Sequence, residues 1–343
     1  MIMKCVKIAG PKSLATATHD EPTSKKGSVV IAVEACGICG SDIHNWDTGA
    51  PVGLIMGHEF CGRVVDPGNR KDLLVGDKVT GLPISPCGTC DACKTGNPQY
   101  CRVTWSKAVG LSLSNPGGYA EYTSCRADLV KKIPNNMTFD EGTLVEPSAV
   151  ALHAVALANI KVGAKVLVIG GGIIGLMACE FARLEGASYI AMLETNMARA
   201  KKATTIGKAD DYFNAKKEDT MAKLAEVSNG GFDIVIECCG NSAAVSEAIL
   251  AVKPGGKIIL VGVSTGPVTI PTVAAVLGEV TIIGAIAYTE KEFETCIDLI
   301  SHKRINVKKY IDATIPLEKA QEAFERLTSG KDDAVKIIFH PRK

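Results

Sequence analysis

The chain has 343 residues, 46% of them hydrophobic and 22% charged, which is enough for two ordinary hydrophobic cores and too much for one. A formal net charge of +1 removes the electrostatic argument for nucleic acid or an anionic membrane as a partner. The opening "MIMKCVKIAG" lacks the apolar run of a signal peptide, later apolar stretches are broken by Gly, His153 or Glu279, and thirteen cysteines in such a chain point to reduced thiols, so a cytoplasmic protein without a membrane span is expected.

To about Pro147 the chain consists of brief β-rich runs cut by Gly and Pro, among them "GSVVIAVEACG", "GRVVDPG", "GDKVTGLP" and "GGYAEYTSC". They predict an irregular β-barrel-like domain. Inside it Cys87, Cys90, Cys93 and Cys101 fall within fifteen residues at the spacing C-x2-C-x2-C-x7-C, with Gly88, Gly96, Asn97 and Pro98 supplying turns. Such thiolates suit a tetrahedral metal, zinc before others. A site closed by its protein ligands has no position for substrate, so it is expected to hold its loop together rather than to catalyse. An iron–sulfur cluster and metal-free thiols are the alternatives, and no ferredoxin pattern accompanies the cysteines.

After Glu146 the pattern changes. "EPSAVALHAVALANI" has helical spacing, and apolar strands then alternate with helices. Strands are predicted over 165–169, 188–193, 232–237, 257–261 and 280–285, with helices starting near Ile173, Met197, Thr220 and Ser242 and a later one over 290–302. Apolar strands separated by helices mean a parallel sheet covered on both faces. The first strand runs into Gly170, Gly172 and Gly175 in G-x-G-x-x-G spacing, and the second ends at Glu194, nineteen residues past Gly175. That context reads as a dinucleotide site. Gly170 allows the turn, Gly172 lets backbone approach a pyrophosphate, Ile173 and Ile174 open the helix whose N-terminus faces it, and Gly175 lets helix and strand pack closely. Glu194 would accept from the ribose hydroxyls and repel a 2′-phosphate, favouring NAD over NADP. Arg199 lies against the adenine or is a solvated helix residue.

Cys39 in "CGICGSDIH", His58 and Glu59 in "GLIMGHEF", and Glu146 in "LVEPSAV" are far apart in sequence, and each has an ordinary structural reading. Cys39 suits a buried apolar position, His58 a structural histidine, and Glu146 a helix N-terminal carboxylate beside Pro147. Taken in order, however, "GICGSDIH", "GHE", the four-cysteine loop, "GGYAEY", "LVEP" and "GGGIIG" resemble the zinc-dependent alcohol dehydrogenases of the medium-chain dehydrogenase/reductase superfamily over essentially the whole chain. Glu146 stands where ethanol-type members carry a cysteine, which is similar to the polyol branch of sorbitol, threonine and butanediol dehydrogenases. "GAIAYTEKEF" is similar to a segment of butanediol-type members. His58 follows Cys39 by nineteen residues, a shorter loop than in many sorbitol and threonine members.

The resemblance implies an α/β protein: a GroES-like β-barrel domain over 1–147 and 286–343, and a Rossmann doubly wound parallel-sheet domain over 148–285. It implies two zinc ions, one structural and one catalytic, and NAD. Cys39 and His58 would bind the catalytic zinc with Glu59 or Glu146. Zinc lowers the pKa of a bound hydroxyl. Ser41 would then accept the alcohol proton, and the relay would continue through the nicotinamide ribose to His44, near solvent. Trp46 and Tyr288 either contact substrate or pack, and His153 reads as structural. The expected activity is oxidation of a small secondary alcohol, diol or polyol to a ketone, with a homodimer or homotetramer as the assembly. A zinc-free reductase of the same superfamily and a non-enzymatic zinc and dinucleotide module are the alternatives.

Overall fold

A computed structural model describes residues 1–23, 27–264 and 266–342. The chain divides into two units: Met1–Pro147 together with Thr289–Lys343, and Ser148–Tyr288.

In the first unit the strand Ser28–Gly37, "SVVIAVEACG", is buried at nearly every position, as suits a strand with neighbours on both edges and cover on both faces. It pairs antiparallel with Glu59–Asp66, Tyr122–Arg126 and Ile337–His340. The wider seven-stranded sheet adds Lys78–Gly81, Val130–Lys132 and, beside Ile337–His340, Ala313–Pro316. A separate hairpin joins Ile2–Gly10 to Ser13–Asp20. The pairing at Gly37 positions the site. Glu59 lies opposite it on one edge and Ile338, from the far end of the chain, on the other. Phe339, the next residue of that last strand, is fully buried, and its ring meets Tyr119 edge-on at 4.9 Å.

The second unit is a six-stranded, wholly parallel sheet in the order Asp211–Asn214, Tyr189–Glu194, Lys165–Ile169, Phe232–Glu237, Val252–Leu260, Thr281–Gly284. Numbered along the chain this is 3-2-1-4-5-6, the Rossmann order, with the switch point between Lys165–Ile169 and Phe232–Glu237. Helices Ile173–Leu184, Met197–Thr205, Thr220–Ser228 and Ser242–Ala251 begin where the sequence places them. Leu167, Leu193 and Val235 from the strands pack with Val245, Ala248 and Ile249 from the last of these helices.

Three details differ from the sequence reading. The strand Asp211–Asn214 has only four residues, "DYFN", none of them buried, so it carries no apolar signal. The strand Val252–Leu260 begins five residues earlier than the predicted 257, across "KPGG", which reads as a turn. The helix Thr272–Leu277 has no buried residue and hence no amphipathic pattern. No helix among the described residues is long and apolar enough to cross a membrane.

Candidate metal centres and dinucleotide site

Two strand ends and a helix start build the first cluster. Cys39 follows the strand Ser28–Gly37 and is the N-cap of the helix Gly40–Thr48, where the helix dipole favours a thiolate. His58 precedes the strand that begins with Glu59. Side chains of neighbouring residues on an extended chain diverge. Here Gly57 turns the backbone at φ +97°, and a Cβ on it would lie 2.6 Å from the Tyr119 ring. Cys39, His58 and Glu59 each bring one donor atom within 4.8 Å of the other two. Glu146 is in the first turn of the helix Val145–Ala158 and is near enough for its charge to act on His58 and Lys336.

A buried set of groups surrounds these donors. Asp42 is completely buried. Its Oδ2 accepts from the Tyr119 hydroxyl at 2.8 Å and from the Cys39 backbone N–H at 3.0 Å. Its Oδ1 faces His58 Nδ1 at 3.6 Å, just beyond hydrogen-bond distance, and neither atom has another hydrogen-bond partner. Burial pushes the Asp42 pKa up, and His58, the Cys39 N–H and Tyr119 offset part of this. Burial alone would push the His58 imidazole down, but the charges of Cys39 and Asp42 carry it well above the ordinary histidine value. Ser41 is half-buried and His44 exposed, three residues apart on the helix Gly40–Thr48 and so on neighbouring positions of one face. Of the residues with two readings, Trp46 packs, its ring 5.7 Å from that of Phe324, and Tyr288 and His153 are buried.

The cysteine loop forms a second cluster. The sulfurs of Cys87, Cys90, Cys93 and Cys101 lie within 4.8 Å of one another, with Cys90–Cys93 at 3.5 Å and Cys87–Cys93 at 3.9 Å. A tetrahedral site with Zn–S bonds of about 2.3 Å has sulfur–sulfur edges of about 3.8 Å. Cys87 Sγ accepts from the Thr89 hydroxyl, the Thr89 N–H and the Cys90 N–H, and these hold its pKa down to about 5. Cys101 Sγ accepts from the Cys87 N–H at 3.3 Å. The loop N–H groups therefore stabilise thiolate at Cys87 and Cys101, whereas burial pushes the Cys93 thiol up to about 11.

The dinucleotide loop lies at the switch point of the second unit. A Cβ on Gly175 would fall 1.9 Å from the Gly170 carbonyl, whereas one on Gly172 would meet nothing within 4 Å. One glycine is thus required by close packing, and the other faces open space where a phosphate can approach. The helix Ile173–Leu184 begins at Gly172 with no side-chain cap, so Ile173, Ile174 and Gly175 present N–H groups that have no intrahelical partner. Glu194 Oε2 accepts from the Gly171 N–H at 2.6 Å, and Oε1 accepts from the Thr195 and Asn196 N–H groups. Arg199 is half-buried in the first turn of the next helix, its backbone close to Gly171. Sequence reasoning missed Glu237, which is fully buried and accepts from the Cys239 and Gly240 N–H groups, shaping the loop whose Cys239 sulfur abuts Gly170.

Both metal clusters fit zinc on donor chemistry. One is a set of four thiols; the other combines thiol, imidazole and carboxylate and leaves a fourth tetrahedral position to a ligand. Comparison with known proteins agrees. Residues 25–135 match the alcohol dehydrogenase GroES-like domain and residues 174–302 the zinc-binding dehydrogenase family. Sorbitol dehydrogenase of Bombyx mori is 31% identical over 336 residues, covering 93% of each chain. The chain belongs to the zinc-type medium-chain dehydrogenases, in their polyol branch. Among solved structures, (2R,3R)-butanediol dehydrogenase of Bacillus subtilis superposes with a TM-score of 0.87 at 30% identity, covering 99% of this chain and 100% of its own. A Sinorhizobium meliloti structure bound to NADP superposes at 0.90 with 29% identity, covering 99% and 100%. Family membership together with these donor sets supports zinc and a nicotinamide dinucleotide as the cofactors.

The cysteine cluster gives the first prediction. Cys90→Ser should remove one zinc equivalent per chain and lower the melting temperature, because binding at a closed site contributes folding free energy. Unchanged metal content and melting would show that the loop is not a zinc site.

Proposed function

We propose that the protein oxidises a small secondary alcohol, diol or polyol to the ketone with NAD and runs in reverse when NADH is abundant. The observation that carries this is the convergence of Cys39, His58 and Glu59 on one point. When bound there, zinc polarises the alcohol oxygen, and the nicotinamide takes up the hydride. Cys39 and His58 hold the metal, and Asp42, itself held by Tyr119, orients the His58 ring from behind. Ser41 accepts the substrate proton as its own hydroxyl proton passes on toward His44, which, exposed on the same helix, delivers a proton to water. Four protein donors would fill a tetrahedron, so only one of Glu59 and Glu146 binds at a time. The position of Glu59 within the three-donor cluster supports it as the resting ligand, with Glu146 exchanging. A zinc-free reductase would have no use for this convergence. The thirteen free thiols support a reducing, cytoplasmic location.

Turnover is tested by an NAD-coupled screen over sorbitol-like polyols, vicinal diols, 3-hydroxy amino acids and sugar-alcohol phosphates. At least one class should yield NADH, and brief chelation should abolish that activity before the chain unfolds, since the open site holds its ion less tightly. Absence of NADH with every class, or activity that survives loss of all zinc, would overturn the proposal.

The position of Glu194 supports NAD over NADP, because a carboxylate at the end of that strand repels a 2′-phosphate. Glu194→Gln removes the charge and keeps one of the two oxygens that accept from the loop N–H groups. It should erode the NAD preference by roughly tenfold, equivalent to about 1.4 kcal/mol of repulsion. A wild-type protein that works better with NADP would contradict this reading.

The strand Thr281–Gly284 is an edge of its sheet, and the apolar side chains of Ile282, Val273, Val276 and Leu277 on or near it are exposed. An uncovered apolar edge is an aggregation liability. This supports a homodimer that continues the sheet across a two-fold axis, and a tetramer built from such dimers is compatible with it. Light scattering at micromolar concentration should give a dimer or larger species, and a clean monomer would refute it.

A further inference from the structure

Lys336 is a lysine with no solvent exposure. It immediately precedes the strand Ile337–His340, and its backbone is anchored on both sides by Asp312: Asp312 Oδ2 accepts from the Lys336 N–H at 3.1 Å, and the Asp312 N–H donates to the Lys336 carbonyl at 2.9 Å. The ammonium donates to Glu59 Oε2 at 2.6 Å and to the Ile38 carbonyl at 2.7 Å. Gly37 makes room for this contact, since a Cβ there would lie 2.2 Å from Glu59 Oε2. Glu59 Oε1 is buried and has no hydrogen-bond partner. One oxygen of the carboxylate is thus committed to a fixed cation and the other is left to the metal cluster.

Two cations therefore act on one carboxylate. Removing a long side chain that merely fills space would weaken the site. Removing a competitor would strengthen the metal's hold. Lys336 is also within charge reach of Cys39 and Glu146. A thiolate and two carboxylates carry one negative charge more than a zinc dication neutralises, and Lys336 supplies the balance in a region where unbalanced charge is costly.

We propose that Lys336 is a positioning residue that competes with zinc for the Glu59 carboxylate, restricting it to attachment through one oxygen and keeping it exchangeable. This rests on the reading of Glu59 as the third donor of the catalytic centre. The test is the affinity of the full-length protein for its more labile zinc, measured by chelator competition in wild type, Lys336→Met, Lys336→Arg, Glu59→Gln and the double variant Lys336→Met/Glu59→Gln. Lys336→Met should bind that zinc on the order of tenfold more tightly, opposite in sign to the roughly tenfold or greater loss that follows removal of a group that merely orients a metal ligand, while the stripped chain melts at a lower temperature. Lys336→Arg should behave as wild type, and the gain should vanish in the double variant. Lys336→Gln keeps a donor for the Ile38 carbonyl and serves if Lys336→Met does not fold. Zinc affinity that is unchanged or lower without the cation, or a gain that survives Glu59→Gln, would overturn the proposal. A wild-type protein that holds zinc only in its cysteine loop would instead overturn the catalytic-centre reading itself.

Discussion

The organisation of the metal centre depends on the pairing of Gly37 with Glu59 on one edge and Ile338 on the other. Cys39 comes two residues after this glycine, His58 one residue before its first partner, and Lys336 two residues before its second. No local segment of the chain could assemble these groups. The sheet must form first, and its register fixes which side chains meet. A slip of one residue would move Glu59 away from Lys336 and leave both charges buried without a partner, which costs several kcal/mol. The register and the charge pair thus enforce each other.

The charge pair also explains why this region tolerates so much buried polarity. Asp42, His58, Glu59 and Lys336 are all buried, and Asp42 is hydrogen-bonded to Tyr119, whose ring meets Phe324 and Phe339. Each makes a hydrogen bond or faces an opposite charge: Asp42 with Tyr119 and His58, Glu59 with Lys336. Orphaned atoms remain at Glu59 Oε1, His58 Nδ1 and Asp42 Oδ1. Two of them face each other at 3.6 Å behind the His58 ring, and the third is the Glu59 oxygen that Lys336 does not occupy, the kind of incomplete pairing expected in a site built to receive a ligand.

The elements legible in the sequence were those with a local signature. The glycine fingerprint, the cysteine spacing and the helix starts at Ile173, Met197, Thr220 and Ser242 each follow from residues close together in the chain. Cys39, His58 and Glu59 came together only through resemblance to a family, because their meeting depends on strand pairing. Asp42 and Tyr119 lie in the motifs "GSDIH" and "GGYAEY", but their mutual hydrogen bond joins residues 77 positions apart. Lys336 did leave one mark. A charge inside "AVKIIF" interrupts an otherwise apolar run, and a lysine at such a position must be paired if it is buried. The short edge strand Asp211–Asn214 left none, since an edge of exposed and half-buried residues has no need of apolar alternation.

The two metal clusters differ in a way that follows from chain distance. The cysteine loop closes on itself within fifteen residues, so its ligands are near one another before the rest of the domain forms, and the entropy cost of gathering them is small. Its N–H groups already point at Cys87. Metal binding there can help to order the loop. The donors at Cys39, His58 and Glu59 depend instead on finished strands, and behind them stands a buried cation that already satisfies one oxygen of the carboxylate. Such a site gains little order from its metal and holds it against a competitor. A structural ion should be hard to remove and a catalytic one should leave room for exchange, and chain distance and charge placement separate these two requirements within one domain.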